Sequence, residues 1–340
     1  MGRMMEQIVG QTEVSDAVLR AAVDLARQAP SLHNAQPWSW RVGGAAAELF
    51  ADPKRAVPVA DPTGRELLLG CGAALHHLRV VLAARGWQAT VTRLPDPAQP
   101  DLLARVEVTG QQDPDPAAER MVAAIPLRRT DRRPFAPQPL STDALDALRE
   151  ATESEDAYLA LATDQDDRIE LAVLSARADR IQSADPAYAE EMAAWTGYRP
   201  HRDGVPASQI PHVTQRRHSD VTLRDFEVAA PGEAEVPAGV DEQPVWAVIY
   251  TRADTGAAHL RAGEALSALW LTATALGVAA GVQSQPVEVP AVRAQLEGRL
   301  LDGLGHAQLV LRLGRPDPAA PELPATPRRP MDEVLLPSPA

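Results

Sequence analysis

The 340-residue chain has one cysteine, Cys71, and one lysine, Lys54. A lone cysteine excludes an intrachain disulfide framework, and with it a Cys-based zinc cluster or an iron–sulfur site. Such usage suits a reducing compartment. Positive charge is also scarce: the formal net charge is −13 and the pI is near 5.1, so the chain lacks the basic face that non-specific binding to nucleic acid or anionic membrane requires. Several chemical signatures are missing. No G-x-S-x-G elbow, Walker A loop, H-E-x-x-H or G-x-G-x-x-G occurs, and Gly70-Cys71-Gly72 lacks the third glycine. Met1 to Gln11 carries Arg3 and Glu6 where an export signal has an apolar core, which predicts a cytoplasmic protein. Ala265 to Val282 is an uncharged run of 18 residues, but Ser267, Thr272 and Thr274 interrupt it, so it reads as a buried helix and not as a membrane span.

What is present is a repeated spacing. Gly72, Ala74, Leu75, Leu78, Ala84 and Gly86 correspond in order to Gly263, Ala265, Leu266, Leu269, Ala275 and Gly277, an offset of 191 residues. The helix opening Ser15-Asp16-Ala17-Val18-Leu19 matches Thr142-Asp143-Ala144-Leu145 more weakly, at an offset of about 127. The second copy therefore carries an insertion of about 64 residues, placed over 183–240, where apolar runs are few and Trp195, Tyr198 and His201 mix with Gly and Pro. Its aromatic residues favour an ordered lid over a solvated linker.

Each half reads as helix and strand. The first, 12–127, has a helix over 15–29, strands near 38–42 and 47–50, a helix over 64–85 and a strand near 103–108. The second, 128–315, has helices over 142–152 and 166–182, strands at 158–162, 245–250 and 306–313, and the long apolar helix. From 316 to 340 the chain is proline-rich, which predicts an extended arm.

Two stretches carry chemistry. An amphipathic helix capped at Ser15 runs into Ala29-Pro30-Ser31-Leu32-His33-Asn34-Ala35-Gln36-Pro37-Trp38, where proline disfavours further helix and small polar side chains follow. Arg128-Arg129-Thr130-Asp131-Arg132-Arg133 sets four guanidiniums around one hydroxyl, a composition suited to a phosphate dianion and also to a solvated charged turn. His76 and His77 are adjacent on a helix, point about 100° apart and cannot chelate together, which leaves them as surface or interface residues.

The pattern A-P-S-x-H-N-x-Q-P-W-x-W resembles the loop with which FMN-dependent nitroreductases hold the isoalloxazine ring. Arg128, Thr130 and Arg132 fall on the family's Arg-x-Ser-x-Arg phosphate motif, with Thr for Ser, and Thr326-Pro327-Arg328-Arg329 is similar to the basic residues near its C-terminus. Gln283-Ser284-Gln285-Pro286-Val287-Glu288 resembles its Pro-x-Glu segment beside the flavin's redox edge. Together these look most like the two-copy, Acg-like branch of the superfamily. The resemblance implies an α+β, nitroreductase-like fold in which two fused copies form an internal pseudo-dimer with a lid insertion in the second. The ring loop occurs only in the first half and the phosphate motif only in the second, which implies one FMN per chain.

On this resemblance Pro30, Ser31, His33 and Asn34 contact the ring or ribityl, Arg128, Thr130, Arg132, Arg328 and Arg329 the phosphate, and Pro286 and Glu288 the N5 edge. Flavin N5 carries the reaction, so no catalytic side chain and no metal is required. The implied activity is hydride transfer from NAD(P)H through FMN to a nitroaromatic, quinone or related acceptor. The alternative is FMN storage, with the insertion closed over the site where nicotinamide would stack. A non-flavin anion-binding scaffold is the third reading. The resemblance leaves a monomer with an internal pseudo-twofold and a homodimer both open.

Overall fold

The computed structural model of the protein describes residues 14–197, 202–211, 221–226, 232–234 and 244–337; Tyr198, His201 and Met1 to Gln11 lie outside them. In chain order the first half comprises helix α1 (Asp16–Ala26), strands β1 (Trp38–Gly43) and β2 (Ala46–Ala51), helix α2 (Arg65–Ala84), strands β3 (Trp87–Arg93) and β4 (Leu102–Gln111) and helix α3 (Pro116–Ala124). The second comprises α4 (Thr142–Glu153), β5 (Tyr158–Ala162), α5 (Gln165–Ser183), α6 (Pro186–Trp195), β6 (Val245–Thr251), α7 (Gly256–Ala275), β7 (Ala279–Val282), α8 (Gln285–Glu288), α9 (Pro290–Leu300) and β8 (His306–Gly314), and the arm carries α10 (Met331–Val334).

The repeat in sequence is a repeat in topology. One antiparallel sheet has the order β1-β2-β4-β3 and the other β5-β6-β8-β7, the same path traced twice. At the centre, α2 packs along α7. A Cβ on Gly72 would stand 2.0 Å from the Leu260 carbonyl oxygen, and one on Gly263 would stand 2.0 Å from that of Leu69. Leu69 and Leu260 are themselves 191 residues apart, so the contact is reciprocal, as at an isologous interface. His76 Nδ1 meets Ser267 Oγ, another pair at that offset, at 2.8 Å. These coincidences put a local pseudo-twofold axis between the helices. The apolar cores interlock across it: Leu260 and Leu271 of α7 join the first-half cluster around Trp38, Trp40 and Leu75, and Leu69 of α2 joins the second.

Several expectations need correction. Helix α1 stops at Ala26, three residues before the expected end, and Ser15 occupies the N-cap with extended backbone but no side-chain cap bond. The uncharged run 265–282 is not one helix. Gly277, at φ 67°, takes the left-handed turn that ends α7, and the remainder becomes β7. Strand β3 and helices α3, α6 and α9 were not expected. Of the two settings expected for His76 and His77, surface or interface, the surface one does not hold: they are buried, 3% and 0% exposed, and His76 meets Ser267 between α2 and α7. Helix α2 is long and apolar enough to span a bilayer by composition, yet it is core, because the second copy covers it.

Beyond Gly314 the arm is extended and runs back onto the first half. Leu335 forms a parallel bridge with Trp40, Leu336 N donates to Trp40 O at 2.7 Å, and Val334 is fully buried in the first core. The second copy's tail thus borders the first copy's β1.

Candidate functional site

The loop after α1 is held in costly backbone. His33, Asn34 and Gln36 have φ of 47°, 55° and 52°, left-handed geometry that side chains other than glycine adopt rarely and that costs on the order of 1–3 kcal/mol per residue. The surroundings enforce it. Ser31 Oγ accepts from Gln36 N at 2.9 Å, Asn34 Nδ2 donates to Gly204 O and Pro327 O at 3.1 Å each, and Gln36 Nε2 donates to Arg202 O at 2.9 Å. Gly70 of α2 admits the loop closely; a Cβ there would lie 3.1 Å from Ser31 Cβ. The first-half loop is therefore fixed by the insertion and by the arm, both contributed by the second half.

Opposite it stands the arginine run. Extended backbone sends alternate side chains to opposite sides. Arg128, Thr130 and Arg132 line a cleft with Pro30, Ser31, His33 and Asn34, while Arg129 and Arg133 turn to the arm, donating to Leu323 O at 3.1 Å and Pro321 O at 2.6 Å. Thr130 is fixed by a bridge to Ala280, and the next residue, Asp131, donates its N–H to Ala280 O at 2.9 Å. Arg328 enters the same cleft from the arm. The cleft is partly open to solvent, and Leu266, Trp270 and Leu309 form its apolar wall.

Its electrostatics are unbalanced. Arg128 is 6% exposed, lies 4.6 Å over the Trp270 ring, has no hydrogen-bond partner at Nε and pairs with no carboxylate among the described residues. Burial, then Arg328, then Arg129 lower its pKa from 12.5 to about 9. Arg328 is lowered to about 10 by burial and then by Arg129 and Arg27, and Arg132 to about 10 by burial and then by Arg224. Guanidiniums do not deprotonate under ordinary conditions, so the cleft holds buried positive charge, although Arg328 also donates to the carbonyls of Thr326, Pro327, Gln28 and Ala29. A di-anion with several acceptor oxygens relieves that charge.

The insertion closes the remaining wall. Arg224 reaches in to donate to Tyr188 Oη at 2.9 Å, to Ser284 Oγ at 3.1 Å and to the Glu288 carboxylate, and its Nη1 lies 3.4 Å from His33 Nε2. Phe226 stands edge-on to His33 and under the Arg132 guanidinium at 4.5 Å. A small apolar cluster of Ala35, Val57, Tyr188, Met192, Val205, Ile210 and Phe226 joins insertion to first half, reinforced by the Arg55–Asp203 ion pair at 2.5 Å. His33 is held neutral, its pKa well below the usual value through burial and then Arg224.

Three expected site residues lie elsewhere. Arg329 points away from the cleft and binds Gln36 O at 3.2 Å, Trp38 O at 3.3 Å and Glu333 O at 2.7 Å, so it fastens the arm. Glu288 is engaged by Arg224, Ser284 and Gln182, and Pro286 is buried in α8; neither lines the cleft. Sequence reasoning passed over Glu66, Trp270, Gln209, Arg224 and Phe226, all of which do. Trp270 had one legible signal, since its counterpart 191 residues earlier is Arg79.

That counterpart has different surroundings. Arg79 pairs with Glu155 at 2.5 Å and Glu264 at 2.9 Å, and Arg93 pairs with Glu264 at 2.8 Å. Only Ser154 to Ala157 separate α4 from β5, whereas Arg27 to Pro37 separate α1 from β1. The symmetry-related position has a short turn and an ion-pair network where the first half has a loop.

No protein-family model matches the chain. Over 329 residues it is 37% identical to the Mycobacterium tuberculosis protein named "Putative NAD(P)H nitroreductase acg", covering 95% of this chain and 97% of that one. A second M. tuberculosis protein, also named "Putative NAD(P)H nitroreductase", is 37% identical over 328 residues, covering 95% and 93%. Among solved structures the chain is similar to the FMN-dependent nitroreductase NfnB of Mycobacterium smegmatis in complex with NADPH, at 17% identity and a TM-score of 0.38 over 66% of this chain and 98% of that one. It is also similar to a Bacteroides fragilis nitroreductase with bound FMN, at 15% identity and a TM-score of 0.37 over 61% and 91%. With more than a third of its residues identical to the mycobacterial proteins across nearly its whole length, the chain belongs to the NAD(P)H nitroreductase family, in the branch that includes acg.

Proposed function

We propose that this chain binds one FMN and uses it as an NAD(P)H-dependent oxidoreductase acting on nitroaromatics, quinones or related acceptors. The observation that carries this reading is a cleft with buried positive charge: Arg128, Arg132 and Arg328 converge, with no carboxylate on Arg128 or Arg328 among the described residues, opposite a strained loop bearing Ser31, His33 and Asn34. The donor set fits a riboflavin phosphate. Arg128, Thr130, Arg132 and Arg328 bind the phosphate, and the unpartnered Nε atoms of Arg128 and Arg328 are donors awaiting an acceptor. Pro30, Ser31, His33 and Asn34 orient the ring, the neutral imidazole adding no charge beside it. Trp270 and Leu266 supply an apolar wall that excludes water. When bound, the flavin supplies two-electron chemistry between nicotinamide and acceptor. Glu288 and Pro286 act only at one remove, by fixing Arg224 and the backbone of α8.

The closed insertion supports a second reading, FMN storage. Arg202, Asp203, Gly204, Arg224 and Phe226 all lie against the loop or in the cleft, where a nicotinamide would need room to stack. One experiment separates the readings. The purified protein's visible spectrum gives FMN per chain, and anaerobic addition of NADPH or NADH follows: rapid bleaching supports the oxidoreductase, and reduction by dithionite alone supports storage. Colourless protein that takes up no FMN refutes both. Removal of residues 202–226 restores bleaching if closure is what prevents it. The oxidoreductase reading carries with it a cytoplasmic setting and either a monomer or a homodimer, tested by fractionation and by light scattering.

A further inference from the structure

Glu66 stands in the first turn of α2, lines the cleft, and takes no part in holding an anion there. Its carboxyl is 5% exposed, and Oε1 accepts from Arg65 Nη2 at 3.0 Å. No other hydrogen bond to it is made by the described residues. Around it lie three carboxyls and two guanidiniums in all: Asp61 from the loop before α2, Glu66 itself, Glu288 from α8, Arg65 beside it and Arg224 from the insertion.

The two cations do not suffice. Arg224 is committed to Glu288, and Arg65 also donates to the carbonyls of Gln308 and Val287. Burial raises the Asp61 pKa, but the backbone N–H groups of Leu67, at 2.8 Å, and of Glu66 oppose that rise, and Glu288 accepts from Ser284 at 2.5 Å and Gln182 at 2.6 Å besides Arg224. Charge balance leaves one proton for the cluster, and Glu66 has the fewest donors to stabilise an anion. Burial first, and the neighbouring Glu288 second, raise its pKa well above the ordinary carboxyl value, which agrees with that placement.

We propose that Glu66 is the proton donor to the acceptor reduced in this cleft. The proposal rests on the oxidoreductase reading given above. A quinone that takes up a hydride needs one further proton to become the hydroquinone. The Glu66 O–H bond breaks as the new O–H bond forms on the quinone oxygen, no electrons leave Glu66, and its carboxylate faces Arg65 and Arg224 until water returns the proton.

The test compares wild type, Glu66→Gln and Glu66→Asp as full-length, FMN-loaded protein reduced with dithionite, so that nicotinamide access plays no part. The loaded proteins are mixed anaerobically with a benzoquinone or with ferricyanide. Ferricyanide takes one electron and no proton. Glu66→Gln is expected to slow quinone reduction at neutral pH by about a hundredfold or more, the usual contribution of a general acid, with partial rescue in Glu66→Asp and ferricyanide rates kept within a few-fold. Infrared spectra of the flavin-free proteins supply an independent reading: a protonated-carboxyl band present in wild type at neutral pH, absent in Glu66→Gln. Equal slowing of both acceptors, unchanged quinone rates, or no carboxyl band lost each overturns the assignment. A wild type that binds no FMN, or whose reduced form ignores quinone, instead overturns the oxidoreductase reading, and the proposal falls with it.

Discussion

Replacing Arg128 by methionine moves stability and affinity in opposite directions. The wild-type guanidinium is almost fully buried over Trp270, and its pKa is lowered from 12.5 to about 9 by burial, Arg328 and Arg129. At about 1.4 kcal/mol per pKa unit, holding that cation in the flavin-free protein costs on the order of 5 kcal/mol. Methionine is long enough to keep apolar contact with the indole and removes the charge. It forfeits a cation–π attraction of about 1–2 kcal/mol. Replacing badly solvated buried charge with apolar volume typically stabilises by about 1–4 kcal/mol, so Arg128→Met without flavin is expected to melt about 2–6 °C higher.

With flavin the sign reverses. A charge-assisted bond to phosphate is worth about 1.5–3 kcal/mol, which predicts FMN binding weaker by about 10- to 150-fold. Arg128→Lys separates charge from geometry: it keeps the repulsion, loses the bidentate fork, and is expected to leave flavin-free stability unchanged with an intermediate affinity. Calorimetric melting of the flavin-free proteins and fluorescence titration with FMN read the two quantities. An Arg128→Met protein that melts lower than wild type and binds FMN within threefold of it would refute the account of the cleft as stored charge.

Either Gly72→Ala or Gly263→Ala drives a methyl to within 2.0 Å of a backbone carbonyl that has nowhere to go, so each is expected to destabilise by more than about 4 kcal/mol in urea, and by similar amounts. Arg79→Met leaves Glu264 to Arg93 alone and strips Glu155 of its guanidinium; a loss of about 2–3 kcal/mol is expected, with FMN stoichiometry still one per chain, and a change in stoichiometry would show that the second position is not closed. His76 is lowered from 6.5 to about 3 by burial and then Arg79, and His33 and His77 are lowered chiefly by burial. The unfolded chain protonates these residues near pH 6.5 while the folded one does not, so stability falls as pH drops below 6.5. His76 alone contributes about 1.5–2 kcal/mol of that fall by pH 5, which His76→Asn should remove from the pH dependence of the urea midpoint.

What could be read from the sequence was whatever a single stretch of backbone carries by itself. The loop from Pro30 to Trp38 announces itself because Asn and His tolerate left-handed geometry and proline stops the helix before it. The run from Arg128 works because an extended strand presents every second residue to one side. The same alternation explains a failure: Arg328 and Arg329 are neighbours on an extended arm, so only one of them can face the cleft, and sequence alone does not say which. Arg224 and Phe226 lay in a segment with no period to interpret, and Glu66 and Trp270 looked like ordinary helix residues because the other copy makes their surroundings.

Repeat spacing, however, carries more than it first yields. Positions 191 residues apart meet at the pseudo-twofold, as the like pair Gly72 and Gly263 and the unlike pair His76 and Ser267 do. Other unlike pairs have different surroundings. Trp270 lies beneath an arginine in an open cleft, and its counterpart Arg79 is locked to two glutamates, so the contrast within one chain separates site from scaffold. Glu66 satisfies the same criterion: its counterpart is Ala257, which has no carboxyl to donate a proton and no cleft beside it among the described residues. Helix capping does not account for the Glu66 carboxyl: among the described residues it accepts from Arg65 and from no backbone N–H of α2.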